Sequence, residues 1–230
     1  MTTHPKTVAS FRDRAEQYLR EDCEGPPLLN NTQIANLLGP VSGRTVLCVG
    51  AGGGAECREL LKRGAIVSAV EPSPSLRKIA SESCPGVVFK GALVESLPYA
   101  DSEFDIVYCA HVLHYLRDWT ASLSEIWRVL RDEGRVLITV HHPLDYGLAK
   151  RDGARFLGYD SDGSEVGEYL TLREECATWY DSFEVVYYPR SVSEMIRNFL
   201  EQGFRLRGCL ELGATEGSRL PILAAFSLEK

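Results

Sequence analysis

No Cys-x-x-Cys pair occurs in this chain of 230 residues, although it has seven cysteines. They stand far apart, at 23, 48, 57, 84, 109, 176 and 209, and their number is odd. This excludes a disulfide framework and a thiolate zinc site, and fits reduced thiols. Long apolar runs are also missing. No stretch approaches the eighteen consecutive apolar residues of a membrane-spanning helix. The start, Met1-Thr2-Thr3-His4-Pro5-Lys6, has no apolar core of a signal peptide, so a cytoplasmic protein with no membrane partner is expected. Runs of Lys and Arg are absent and the net charge is −7, which argues against a nucleic-acid partner. Neither an internal repeat nor a low-complexity stretch is present.

What is there begins at Val46-Leu47-Cys48-Val49-Gly50-Ala51-Gly52-Gly53-Gly54, an apolar run that breaks into glycines. A second apolar run, Ala65-Ile66-Val67-Ser68-Ala69-Val70, ends on an acid, Glu71, about twenty residues past Gly50. Strand, glycine turn, helix, strand and acid form the layout of a βαβ unit that holds a nucleoside-bearing ligand. Glycines there allow a tight turn and close approach, because no Cβ intervenes. The acid can accept hydrogen bonds from both ribose hydroxyls.

Hydrophobic spacing orders the remaining elements. Helices are expected over 8–22, 29–38, about 54–63, 74–82, about 120–131 and about 191–202. Strands are expected over 45–49, 65–70, 87–90, 106–109 and 135–140. Five βα steps in succession call for a parallel sheet with helices on both faces. Residues 204–212 and 220–228 read as two strands joined by a short turn, and strands so linked must pair antiparallel. The domain reading is a helical N-terminal cap over 1–40 and a cofactor-binding core over 41–143. A lid and substrate segment follows over 144–188, and a C-terminal helix and hairpin over 189–230 complete one domain. The lid segment is rich in glycine, acids and aromatics. Placed after the fifth strand, it would sit over the carboxyl ends of the sheet, where ligands bind in open α/β folds.

Together these motifs resemble the class I S-adenosylmethionine-dependent methyltransferases, in the small-molecule branch akin to the ubiquinone and menaquinone enzymes. The glycine run matches that family's first motif, and Glu71-Pro72-Ser73 its acidic strand end. Glu95-Ser96-Leu97-Pro98-Tyr99 with Phe104-Asp105-Ile106-Val107 matches its Glu-x-Leu-Pro-Phe and Phe-Asp-x-Val signature. His111-Val112-Leu113-His114 resembles the stretch after strand four, and Glu125 to Leu137 the helix and turn before strand five. The resemblance implies an α/β Rossmann-like, doubly wound, mostly parallel sheet of seven strands in the order 3-2-1-4-5-7-6, one of them antiparallel. It implies S-adenosyl-L-methionine as donor and S-adenosyl-L-homocysteine as product. Carried residue by residue, the cofactor would meet Tyr18, Gly50, Ala51, Gly52, Gly54, Glu71, Pro72, Ala92, Leu93, Ala110 and His111. Two positions depart from the pattern. Cys48 and Ala92 stand where the family has Asp, which leaves the backbone of Ala92 and Leu93 to read the adenine.

Methyl transfer from a sulfonium requires alignment, a dry pocket and in some cases a base. Four of the five histidines follow the fourth and fifth strands, and His111, His141 and His142 are the candidate bases. His114 reads mainly as helix packing. Side chains alternate on a strand, so one of His141 and His142 faces the cleft and the other faces away. Sequence leaves open which one. A histidine metal site is not expected, because His-x-x-His without a carboxylate is a weak signal. Tyr146, Tyr187, Tyr188 and Arg190 are the candidate substrate residues, an aromatic wall with polar tips for a small flat or hydrophobic acceptor. A monomer or homodimer is expected. Alternatives are the same pocket turned to cyclisation or isomerisation, a non-catalytic binding protein, and a dehydrogenase reading of Gly50-x-Gly52-x-x-Ala55.

Overall fold

Val46, Leu47, Cys48 and Val49 are all buried, which marks a central strand covered on both faces. The computed structural model describes residues 6, 7, 10, 11, 27–144, 158, 159, 165, 166, 172, 174–179, 183–213, 217, 218 and 221–230. Strands β1 (Thr45–Val49), β2 (Ile66–Val70), β3 (Val88–Lys90), β4 (Phe104–Ala110) and β5 (Leu130–His141) pair in parallel. The tail adds β6 (Arg205–Leu212) and β7 (Leu223–Glu229). Strand β7 runs antiparallel to both of its neighbours, β5 and β6. Among the described residues the sheet order is β3-β2-β1-β4-β5-β7-β6, the expected order.

Helices α1 (Thr32–Leu38), α2 (Ala55–Lys62), α3 (Pro74–Ser83), α4 (Thr120–Val129) and α5 (Val192–Gln202) flank this sheet. Their boundaries follow local chemistry. Asn31 caps α1 by accepting from the amides of Gln33 and Ile34. Ser73 caps α3 ahead of Pro74, and Ser191 caps α5, which ends on Gly203 in the left-handed region. Two apolar layers result. One packs Trp119, Ile126, Phe199 and Phe226 on one face, and the other packs Leu29, Ile34, Leu60 and Tyr108 on the opposite face.

Several boundaries differ from the expected ones, most of all in β5, which begins at Leu130 rather than at 135. Strand β4 begins at Phe104 rather than at 106, and α4 ends at Val129 rather than near 131. The amides of Ser102 and Glu103 take the carbonyls of Arg128 and Val129, while Leu130 pairs with Phe104. The chain therefore turns extended one residue after the helix. Among the described residues, two antiparallel pairs lie in the segment read as a lid, Gly158–Tyr159 with Glu165–Val166 and Glu175–Trp179 with Phe183–Tyr187. Of the helix expected over 8–22, only Ser10 and Phe11 are described, and both are helical.

Candidate functional site

The glycine turn leaves β1 with Gly50, Gly52 and Gly54 all at positive φ, +68°, +54° and +90°. The amides of Gly50 and Ala51 both donate to the carbonyl of Val70, which ties the turn to the end of β2. A Cβ on Gly50 would stand 2.3 Å from Cγ2 of Val112, so the close approach leaves room for glycine only. Helix α2 begins directly after Gly54 and so aims its amino end at the turn.

Glu71 follows β2, and its side chain is 5% exposed. One carboxylate oxygen accepts from the amide of Gly52 at 2.9 Å, and the other accepts from the amide of Ser73 at 2.9 Å. The acid is thus pinned between the glycine turn and the cap of α3. Beside it opens a cavity of about 220 Å³. Of the sequence-derived cofactor residues, Gly50, Ala51, Gly52, Glu71, Pro72, Ala92, Leu93, Ala110 and His111 line this one cavity. Gly54 caps α2 just outside it, and Tyr18 lies outside the described residues. Arg128 holds the loop after Leu93 by donating to the carbonyls of Leu97 and Tyr99, while Glu125 accepts from the Leu97 amide.

At the far wall the chain builds a cluster of rings. His111 sits just past β4 with φ at +55°, and its amide donates to the carbonyl of Thr139 on β5. The His111 ring lies 4.7 Å from that of His141, and the His114 ring lies 4.9 Å from it. Tyr115 lines the cavity, with its ring 4.1 Å from His114 and stacked on Tyr187 at 5.6 Å. Burial, helped by the neighbouring His141, holds His111 down to about 3. Burial likewise pushes His114 well below the usual imidazole value. Both rings are therefore neutral near pH 7. They accept hydrogen bonds readily and hold a proton weakly.

The strand alternation left open by sequence is resolved. His141 joins His111 and His114, whereas His142 turns away, its Nε2 2.6 Å from Glu211 on β6. His141 and His142 do not line the cavity, and neither do Tyr187, Tyr188 and Arg190. The Tyr188 hydroxyl donates to Glu174. Arg190 is 3% exposed, and its guanidinium donates to the carbonyls of Leu116, Arg117 and Tyr188 beneath Trp119. The structure thus differs from the sequence reading here, since these donors brace two segments of backbone. Tyr146 lies outside the described residues.

Comparison with known proteins decides the family. Residues 47–138 match a family model described as a methyltransferase domain. An uncharacterised methyltransferase of Mycobacterium tuberculosis is 32% identical over 170 residues, covering 74% of this chain and 66% of that protein. A ubiquinone biosynthesis O-methyltransferase of Alkalilimnicola ehrlichii is 26% identical over 215 residues, 88% of this chain and 86% of its own length. The crystal structure of an S-adenosylmethionine dependent methyltransferase from Mesorhizobium loti superposes with a TM-score of 0.69 at 21% identity, covering 86% of this chain and 96% of that one. This chain belongs to the class I S-adenosylmethionine-dependent methyltransferases.

The methyltransferase is therefore of the small-molecule type and uses S-adenosyl-L-methionine as donor, with S-adenosyl-L-homocysteine as product. The residues present fit that cofactor: a glycine cradle that a Cβ would fill, and a buried acid at its mouth. Among the described residues no helix is long and apolar enough to cross a membrane.

Several residues of the cavity were missed by sequence reasoning. Thr7 and Phe11 cover it from the amino-terminal segment, with Thr7 bonded to the backbone of Val186 and the Phe11 carbonyl accepting from Ser73. Nothing in their local sequence marks them. Glu56 was missed although it stands in the first turn of α2, beside the departure at Cys48. Its Oε1 accepts from the Leu28 amide at 2.5 Å, while Oε2 is buried without a hydrogen bond of normal geometry among the described residues. Burial raises its pKa to about 7, and the Leu28 amide and, more weakly, the Tyr108 hydroxyl pull it back only in part.

This shift has a consequence for stability. An acid whose pKa is higher in the folded than in the unfolded chain stabilises the fold below about pH 4.5, and that contribution is lost as pH rises through 7. Glu56 should remove about 3 kcal/mol of stability across this window. Urea unfolding of the cofactor-free protein at pH 5 and pH 8 measures it. The depressed His111 and His114 act in the opposite sense over this range. The Glu56 share is therefore read as the change in the pH 5 to pH 8 difference between the native protein and Glu56→Gln, and an unchanged difference in that variant would refute the assignment.

Proposed function

We propose that the methyl acceptor is a small flat or hydrophobic molecule carrying a phenol, enol or amine, and that it docks against Tyr115 and His111, the members of the ring cluster that line the cavity. The observation that carries this is the shared position of His111, which lines the cofactor cavity and also belongs to the ring cluster. When bound, the cofactor supplies a methyl group already activated on a sulfonium. The protein has to hold an acceptor in line with it and exclude water. Glu71 holds the ribose hydroxyls beside Pro72, and the backbone of Ala92 and Leu93 reads the adenine. Gly50, Ala51 and Gly52 would hold the methionine portion of the cofactor, with Ala110 and His111 on the opposite wall of the cavity. His111 faces the acceptor as a hydrogen-bonding group, since its buried ring holds a proton too weakly to serve as a base near pH 7. The amino-terminal segment and the hairpin ending at Tyr187 form the cover, with Thr7 as the stitch between them.

Calorimetry with S-adenosylmethionine and S-adenosylhomocysteine should show saturable binding of both. Methyl-labelled cofactor incubated with a panel of phenols, quinols, enols and amines should transfer label to one class and release S-adenosylhomocysteine in equal amount. Turnover of an acceptor with no label incorporated would replace methyl transfer with cyclisation or isomerisation in the same pocket.

A further inference from the structure

We infer that His111, His114 and His141 form a site for a divalent transition-metal ion at the acceptor end of the cavity. Each offers a ring nitrogen, and the three nitrogens lie within 4.8 Å of one another. Three different elements deliver them: the residue after β4, the short helical turn Leu113–Tyr115, and the last residue of β5. The parallel register that pairs Ala110 with Thr139 brings the ends of β4 and β5 side by side. The third ligand is therefore a product of the sheet, invisible to a search for His-x-x-His spacing.

The required adjustment is small. A tetrahedral ion with bonds of about 2.0–2.1 Å sets its nitrogens about 3.3 Å apart. Closing from 4.8 Å calls for rotations about the Cα–Cβ and Cβ–Cγ bonds of three rings. His111 supplies two further observations. It is a non-glycine residue held at φ +55°, a conformation that costs about 1–2 kcal/mol and marks functional sites. Its Nδ1 is buried with no hydrogen-bond partner among the described residues, a deficit that an ion would remove. Edge-to-face packing explains any two of these rings in contact, but not three with their nitrogens brought together.

The donor set also names the class of ion. Three imidazoles without a carboxylate suit zinc, cobalt or nickel, and do not suit magnesium or calcium, which take oxygen ligands. Three protein ligands leave one position open, as in catalytic rather than structural sites. The role of that open position rests on the methyltransferase reading. An acceptor hydroxyl placed there would ionise more readily beside the transferable methyl, which favours phenol and enol acceptors over amines.

The test uses Co2+ alone as probe, added to the full chain after chelation and dialysis. One Co2+ per chain should bind and give the intense visible bands of a four- or five-coordinate nitrogen site, and Zn2+ should bleach them. His141→Gln should weaken Co2+ binding by more than about 100-fold, beyond the 10–100-fold cost of losing an outer partner of a ligand. His142→Gln should leave it unchanged. His141 does not line the cofactor cavity, so calorimetry with S-adenosylhomocysteine verifies that the His141→Gln protein is folded. X-ray absorption on the zinc-loaded native protein counts imidazole ligands without any variant. Failure to bind Co2+, binding indifferent to His141→Gln, or fewer than three imidazoles would each overturn the site. S-adenosylhomocysteine binding in the same samples fails or survives separately, so the loss of one reading is not confused with the loss of the other.

Discussion

Glu71→Ala should lower the affinity for S-adenosylhomocysteine by about 30-fold or more, equivalent to about 2 kcal/mol. The carboxylate does two jobs that alanine cannot share out. Toward the protein it accepts from the amides of Gly52 and Ser73, both at 2.9 Å. Each is a hydrogen bond to a charged group, worth about 1.5–3 kcal/mol. Toward the cavity its remaining lone pairs would, in the proposed reading, meet the ribose hydroxyls. Removing it leaves two amide donors without their acceptor and frees the turn that the cofactor lies against. Glu71→Gln tests the same point with almost no change of shape, because its amide group would face one donor with another. Calorimetry on both variants reads the loss. Comparing S-adenosylhomocysteine with adenine separates the ribose contact from general loosening of the turn, since adenine has no sugar to lose. Equal losses for the two ligands would confine Glu71 to a bracing role, and unchanged affinity for both would remove it from the site.

Why Glu71 was legible from sequence and the histidine triad was not is a matter of range. The glycine turn and its acid are joined by one strand-helix-strand unit, so chain spacing alone brings them together. The parallel part of the sheet follows from repeats of that unit, the reversed β7 from the short turn that joins it to β6, and the strand order from the family resemblance. His141 reaches His111 through the pairing of β4 with β5, across thirty residues whose register is set by packing on both faces. Alternation showed that one of His141 and His142 faces inward. The choice waited on Glu211, a residue of β6 that holds His142 on the other side. Arg190 shows the same limit of range. Its guanidinium reads in sequence as a polar tip of an acceptor wall, and the turn of Leu116 and Arg117, more than seventy residues away, presents the carbonyls that take its donors. Thr7 and Phe11 come from the far amino end, where no pattern links them to the pocket. Composition could not reveal that a helix near the start would be stitched to a hairpin near residue 186.

Gly50→Ala should destabilise the cofactor-free protein by about 2–5 kcal/mol. Two independent terms add up to this figure. At φ +68° an alanine pays about 1–2 kcal/mol for the left-handed backbone. Its Cβ would also stand 2.3 Å from Cγ2 of Val112, and overpacking of this kind costs about 1–3 kcal/mol. The turn cannot swing aside to relieve the contact, because the amides of Gly50 and Ala51 are both fixed on the carbonyl of Val70. Val112→Ala separates the two terms. Alone, it should cost about 1–2 kcal/mol for the methyl groups removed. Combined with Gly50→Ala, it removes the obstructing methyl and should relieve the clash while the backbone cost remains. The double variant should therefore be more stable than the sum of the two single losses by about 1–2 kcal/mol, a coupling of the size expected for residues in contact. Urea unfolding of all four proteins measures this. Strict additivity would mean that Val112 does not press on the turn, and that backbone conformation alone explains the glycine at position 50.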